Sequence, residues 1–263
     1  MTRRGFIATP ALLAAQQARV PPQAPSKRNL LASVWSAEKL ATAANGTLHP
    51  YPKAADRAGW EQAPADARAS LVAAGERQLK TAWDVLPAIA ALEFARNGNR
   101  SHYEGMRDRR RKKLQDLVMA ECVEFKGRFL DEIVNGIWLT CEETFWGVPA
   151  HLGTQKAKVG LPDVTEPIVE LFGAETAGLM AWTNYLLEPQ LRAVSPLVPT
   201  RIRLETERRI LAPALERDDF SWMGFRGGAP NNWNPWICSN CRPPPRRPSA
   251  GRAPTSDLIA APR

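Results

Sequence analysis

An all-α fold is what this sequence predicts, on three observations. From about Leu30 onward, apolar residues recur at helical spacing in segment after segment. No alternating run of β-branched residues lasts long enough for a strand. Short breakers separate the periodic segments: Pro64, Asn97-Gly98-Asn99, Gly147 to Pro149, Gly160 to Pro162 and Glu188-Pro189. Strongly apolar helices alternating with more polar ones across short loops describe helical hairpins, stacked in layers or closed into a toroid.

The chain of 263 residues is long enough to bury a sizeable core. Its net charge of +8 raises the question of a nucleic-acid or anionic-surface partner, and the charge distribution answers it. Residues 1–28 and 242–263 carry the excess, which leaves residues 29–241 near neutral and argues against a basic binding face. At the N-terminus, Arg3-Arg4 followed by Phe6-Ile7 and a short small-residue run through Ala15 reads as a twin-arginine export signal over residues 1–25. The run is too short to span a bilayer stably, so a periplasmic or secreted product is expected. Residues 26–34 then form a linker, 35–241 the helical domain, and 242–263 a disordered tail with six Pro and five Arg.

Within the domain, helices are expected at 35–44, 65–78, 81–96, 101–120, 124–145, 165–188 and 196–217. Asp163 with Glu166 is spaced as a capping box, and Ser195 precedes a proline at the first helical position. In 124–145, Phe125, Phe129, Ile133, Ile137 and Thr140 make a stripe that Leu130, Val134, Trp138 and Cys141 broaden, so cover on more than one side is required. Segment 165–188 is as apolar, with Ile168, Leu171, Met180 and Leu186. The dense basic run Arg107 to Lys113 reads as a solvated helix face.

The stretch from Trp222 to Asn240 has the most distinctive chemistry. It sets Trp222, Trp233 and Trp236 around Asn231, Asn232 and Asn234, after the breakers Gly227, Gly228 and Pro230. The amides fall on a loop entering a helix. Paired amides beside indoles suit a sugar cleft, because amides both donate and accept while aromatic faces cover the apolar side of a pyranose. An Asn helix cap with Trp236 in the core fits the same residues. A second cluster, Glu142-Glu143-Thr144-Phe145-Trp146 with His151, ends an apolar helix. It reads either as the rim of a cleft, with a carboxylate and a proton-exchanging imidazole, or as an ordinary surface helix end.

Other chemistries find little support. Cys238-x-x-Cys241 lacks the further ligands of a zinc site and the βαβ context of a redox motif, and Cys122 and Cys141 sit on apolar faces. No phosphate loop, metalloprotease helix or nucleophile elbow is present, and no metal or cofactor is expected.

From about Ala120 to Asn240 the sequence resembles the helical part of heparinase II/III-type polysaccharide lyases. The resemblance rests on E-C-V-E-F-K-G-R-F-L-D-E-I-V-N-G-I-W, C-E-E-T-F-W-G-V-P-A-H and N-N-W-N-P-W-I. It implies an (α/α) toroid, here incomplete and without the family's β-sheet domain, and β-elimination of uronate-containing polysaccharide. It also implies that Asn231 or Asn232 contacts the uronate carboxylate. Many members have His where this chain has Trp233. The family's catalytic Tyr follows the Asn pair, whereas Tyr51, Tyr103 and Tyr185 all precede it. The tail fits an out-of-frame continuation from between Cys238 and Arg242, which makes this chain a fragment expected to be inactive alone.

On this reading Asn231 and Asn232 are the catalytic candidates, with Trp222, Trp233, Trp146, His151, Glu142 and Glu143 contacting substrate. The partner is an anionic polysaccharide, with neither nucleic acid nor stable membrane insertion. The alternative is a non-catalytic helical carbohydrate-binding or scaffold protein. A hydrolase using Glu142 and Glu143 as its carboxylate pair is disfavoured, because adjacent helical residues point in different directions.

Overall fold

The structure, a computed structural model, describes residues 34–44 and 51–241. The expected export signal, nearly all of the linker and the tail lie outside the described residues. Among the described residues the fold is all-helical, with no strand. The helices are α1 (Ala37–Ala44), α2 (Arg57–Glu61), α3 (Ala65–Leu79), α4 (Ala88–Asn97), α5 (Ser101–Glu124), α6 (Leu130–Glu142), α7 (Leu171–Val194), α8 (Leu197–Thr206), α9 (Ala212–Glu216) and α10 (Trp233–Asn240). A 3-10 turn spans Pro149–Thr154, another Ser221–Met223, and a π turn over Glu207–Leu211 joins α8 to α9.

Helices α5 and α7 are the centre of the packing. Helix α3 lies along α5, which also touches α6 and α7, while α8 and α10 pack on α7. The close approach of α3 to α5 depends on Gly75, where an added Cβ would stand 2.4 Å from the Ala120 Cβ. Leu114, Leu117, Phe129, Ile133, Ile137, Met180, Leu187 and Leu191 are fully buried and form one core with Trp146 and Ile237. Burying each such side chain stabilises the fold by roughly 1.5–3 kcal/mol before chain entropy is counted.

Helix boundaries move where local chemistry outweighs periodicity. The fourth helix starts at Ala88 rather than at 81, since Pro87 pushes the preceding residue out of the α region. That leaves Trp83 outside the helix, where it covers Gly136 and donates its indole N–H to Glu132 at 2.8 Å. The sixth starts at Leu130 rather than 124. Phe125 ends α5 in the left-handed conformation at φ 56°, and the buried Glu121 carboxylate accepts from the Gly127 and Phe129 amides in the turn. Desolvation raises the pKa of Glu121 while those two bonds oppose the shift. The seventh starts at Leu171 rather than 165, and Asp163 closes a local turn by accepting from Thr165 instead of forming the capping box. Ser195 Oγ accepts from the Leu197 amide at 3.2 Å, but α8 starts at Leu197, one residue later than expected, and Pro196 stands at its N-cap rather than at the first helical position. Pro189 does not break α7, which continues to Val194. The proline has no N–H to offer the Tyr185 carbonyl four residues back, and the neighbouring Leu186 carbonyl accepts from the Ala54 amide at 3.0 Å.

The largest correction concerns the basic run. Arg107, Arg110, Arg111 and Lys113 are buried, while Asp108, Arg109 and Lys112 form the solvated face. The reason is periodicity: Tyr103, Arg107, Arg110, Leu114 and Leu117 lie on one continuous stripe that α5 turns toward α6 and α7. Buried charge requires partners. Lys113 pairs with Glu132 at 3.1 Å and donates to the Thr81 carbonyl, Arg107 donates to the Trp146 and Phe172 carbonyls, and Arg111 grips Glu143 with both terminal nitrogens. Desolvation lowers the pKa of Arg107, and repulsion from Arg111 lowers it further.

Arg217, after α9, fastens the loop before α7. It donates to the Pro167 carbonyl at 2.9 Å and pairs with Asp219 and Glu166. The Arg217 hydrogen bond holds Asp219 down to about 2, from an ordinary 3.8. A depressed carboxylate adds stability above its unfolded pKa and loses it as pH falls through the folded value. The Asp219 contribution is therefore expected to vanish between pH 3.8 and about 2. A carboxyl NMR titration checks this: Asp219 titrates near 2, and Arg217→Met returns it toward the ordinary value.

Candidate functional site

The site is built at the N-terminus of α7. Glu170 is fully buried, and its Oε1 accepts from the Gly173 amide at 2.5 Å, capping the helix. Its second oxygen, Oε2, lies 2.5 Å from Nδ1 of His151 on the Pro149–Thr154 turn. Gly147 permits this approach, because an added Cβ would stand 2.1 Å from Glu170 Oε1. With Nδ1 held by the carboxylate, Nε2 is the nitrogen left to exchange a proton with a solute. The imidazole is sandwiched, stacked on Phe172 at 5.6 Å and tilted against Trp233 at 4.7 Å. Arg107 lies over Phe172, 5.1 Å from its centre, and also donates to Thr176 Oγ1.

Trp233 brings the amide pair to this histidine. It opens α10, and its backbone N–H donates to Asn231 Oδ1 at 3.0 Å. Asn231 thus shapes the helix start as the capping alternative expects, while its side-chain NH2 remains a donor. Asn232 makes no capping bond, and both amides are exposed. Asn234 is tied to the Trp222 carbonyl at 3.2 Å. Trp236 is 42% exposed, and Ile237 fills the core position in its place.

The structure therefore brings His151, Trp233 and the Asn231-Asn232 loop together. It places the other candidates elsewhere. Trp146 and Trp222 are buried wall residues, with their N–H groups donated to the Thr140 and Val169 carbonyls at 2.8 and 3.0 Å, so neither offers a free face to a sugar. Glu143 is buried against Arg111 and Arg110, whereas the adjacent Glu142 is exposed. The two carboxylates diverge and do not flank one bond. Tyr103 is buried near Glu143, and desolvation first, then that carboxylate, push its phenol up to about 12. Tyr185 donates to the Tyr51 carbonyl. Cys238 and Cys241 are both free.

Glu170 and Phe172 are the members that sequence reasoning missed. Both fell inside the helix expected at 165–188. A signal was present in Pro167 followed three residues later by an acidic side chain and then an apolar run, the composition of a helix start. No family model matches the sequence, and no curated protein matches it. Among the described residues no cluster of metal-ligating side chains is found, and no helix is long and apolar enough to cross a membrane.

Proposed function

We propose that this chain is the helical part of a heparinase II/III-like polysaccharide lyase, its hairpins forming part of an (α/α) toroid, exported by a twin-arginine signal to the periplasm or beyond. Its ligand is an anionic uronate-containing polysaccharide. The observation that carries this reading is the position of His151, oriented by a buried carboxylate and set against Trp233 next to two exposed asparagine amides.

Elimination needs this combination. A uronate C5 proton becomes acidic when its carboxylate is neutralised, and the NH2 groups of Asn231 and Asn232 supply donors for that charge. The C5–H bond breaks toward a base, its electron pair forms the C4–C5 double bond, and the C4–O4 bond breaks with a proton delivered to O4. His151 Nε2 is the proton acceptor, with Glu170 holding Nδ1 and stabilising the imidazolium that forms. Among the described tyrosines, Tyr103 and Tyr185 are buried and Tyr51 lies beside Tyr185, so none is placed to protonate O4 at this site. The chain alone is therefore expected to bind the polysaccharide without turning it over.

The test measures polysaccharide binding and absorbance in the unsaturated-uronate band. It uses this chain and a version whose reading frame is restored past Cys238, across a panel of uronate polymers. Binding by both, with double-bond formation only in the restored version, is the expected result. Asn232→Ala should weaken binding by about tenfold or more, the worth of a hydrogen bond to a charged group. Binding with no unsaturated product in either version would favour a non-catalytic carbohydrate-binding protein, and no binding to any uronate polymer would overturn both readings.

A further inference from the structure

A carboxyl group stands beside the His151 site without a partner. Glu175, on α7, is half-buried and makes no hydrogen bond or ion pair among the described residues. The register of α7 places it. Residues three apart share a helix face, so Phe172, Glu175 and Gly178 form one stripe. At one end of that stripe Phe172 stacks on His151 at 5.6 Å. At the other, Gly178 meets Asn240, whose Oδ1 would stand 2.7 Å from an added Cβ. Helix α10 begins with Trp233 against His151 and ends with Asn240 on Gly178, so it runs beside the stripe in the direction of α7. Glu175 lies midway, about 4.5 Å along the axis from either end. It is therefore at the foot of α10, one turn from the ring that carries the imidazole, with part of its surface open to solvent.

The charged groups around Glu175 do not hold its anion in place. From α5, Arg107 attracts it but is engaged elsewhere: Nε donates to the Trp146 carbonyl, Nη1 to Asp108, and Nη2 to the Phe172 carbonyl and Thr176 Oγ1. Arg111 gives both terminal nitrogens to Glu143. Asp108 on α5 and Glu170 at the start of α7 act against ionisation, and α10 brings no charged side chain. Burial has the largest effect and raises the Glu175 pKa above the ordinary carboxylate range; Arg107 opposes that rise, and the Asp108 and Glu170 charges add to it. His151, held at Nδ1 by Glu170, is the other titratable group facing this groove. A uronate is an α-alkoxy acid that ionises within or below the ordinary carboxylate range. There is thus a pH window in which the polymer is anionic and Glu175 is neutral.

We propose that Glu175 makes polysaccharide binding at the His151 site conditional on its own protonation, an inference that rests on the uronate reading above. Neutral, the carboxyl donates its O–H to the bound uronate, and the polymer is held. Ionised, it repels the uronate across a half-buried groove where water screens charge poorly, and the polymer is released. The effect is reciprocal: a ligand repelled by the Glu175 anion must raise the Glu175 pKa when it binds, by about one unit for each tenfold loss of affinity.

The test titrates the full chain with oligomers of galacturonate, mannuronate and glucuronate, and with a neutral glucose oligomer as control, at about pH 5 and about pH 8. Uronate binding should weaken about tenfold or more from the lower pH to the higher, and the neutral control should not follow it. Glu175→Gln is neutral throughout. It should match the parent within about twofold at the lower pH and bind about fivefold tighter or more at the higher. A charge change at His151 acts in the same direction but persists in Glu175→Gln, so the difference between parent and variant isolates the carboxyl. Glu175→Asp keeps a titrating group and should keep the pH dependence. Carbon-13 NMR of the Glu175 carboxyl in the parent needs no substitution: its pKa should lie above the ordinary range and rise by about half a unit or more when ligand saturates the chain. If circular dichroism shows Glu175→Gln unfolded, the NMR titration decides. Uronate binding that Glu175→Gln leaves unchanged at both pH values, or a Glu175 pKa that bound ligand does not raise, overturns this inference and leaves the uronate reading standing. No binding of any uronate oligomer at either pH overturns both.

Discussion

Glu143→Ala is expected to destabilise the protein by about 3–5 kcal/mol, the range for removing one partner of a buried ion pair. The cause is what remains behind. Arg111 loses an acceptor for both terminal nitrogens, and Arg110 loses the carboxylate that lies 3.2 Å from its Nε. Tyr103 is packed nearby and cannot accept the charge, its phenol being driven upward by burial. Glu142→Ala is the control, since it deletes the neighbouring carboxylate from an exposed position and should stay within about 0.5 kcal/mol of the parent. Denaturant midpoints for the two variants check this. Equal midpoints would mean that the guanidinium cluster does not depend on Glu143.

The second large effect is expected at Glu170. Glu170→Ala removes the α7 cap and leaves the Gly173 amide buried without an acceptor, a loss of about 1–3 kcal/mol. It also frees His151 Nδ1. Glu170→Gln separates these two roles. Its side-chain carbonyl can still cap the helix, so stability should stay within about 1 kcal/mol of the parent, while His151 loses its anionic partner. If the frame-restored version eliminates, Glu170→Gln should slow it by about tenfold or more at near-native stability. A variant as active as the parent would remove His151 from the proton-transfer role.

Sequence reasoning reached the helical class because α6 and α7 carry long apolar stripes, and because short breakers fall between the periodic segments. It failed where a helix boundary depends on a three-dimensional partner. The turn at Phe125 exists because Glu121 can reach back to two amides, and periodicity through 124–145 conceals it. Pro189 reads as a stop, yet α7 continues past it to Val194, and a donor from another segment reaches the Leu186 carbonyl in the same turn. The basic run misled for a different reason. Hydropathy scores Arg107, Arg110 and Arg111 as surface, whereas their spacing extends the stripe of Leu114 and Leu117, and partners from α6 and α7 make burial tolerable. At the candidate site the asparagine loop and His151 were visible as separate clusters. Their meeting was not, because it depends on Trp233 packing on a ring whose orienting carboxylate lies 19 residues further along.

The bond from Ala54 to the Leu186 carbonyl joins two backbones. Such an attachment is blind to side-chain identity. Over evolutionary time, position 54 is free to drift among residues small enough for its fully enclosed place, and position 186 among residues that keep the helix. Proline alone is barred at 54, for want of a donor. The arm before α2 is thereby moored in a way that substitution elsewhere in the arm leaves intact, and its relatives should be recognisable by a shared path across α7 more than by shared letters.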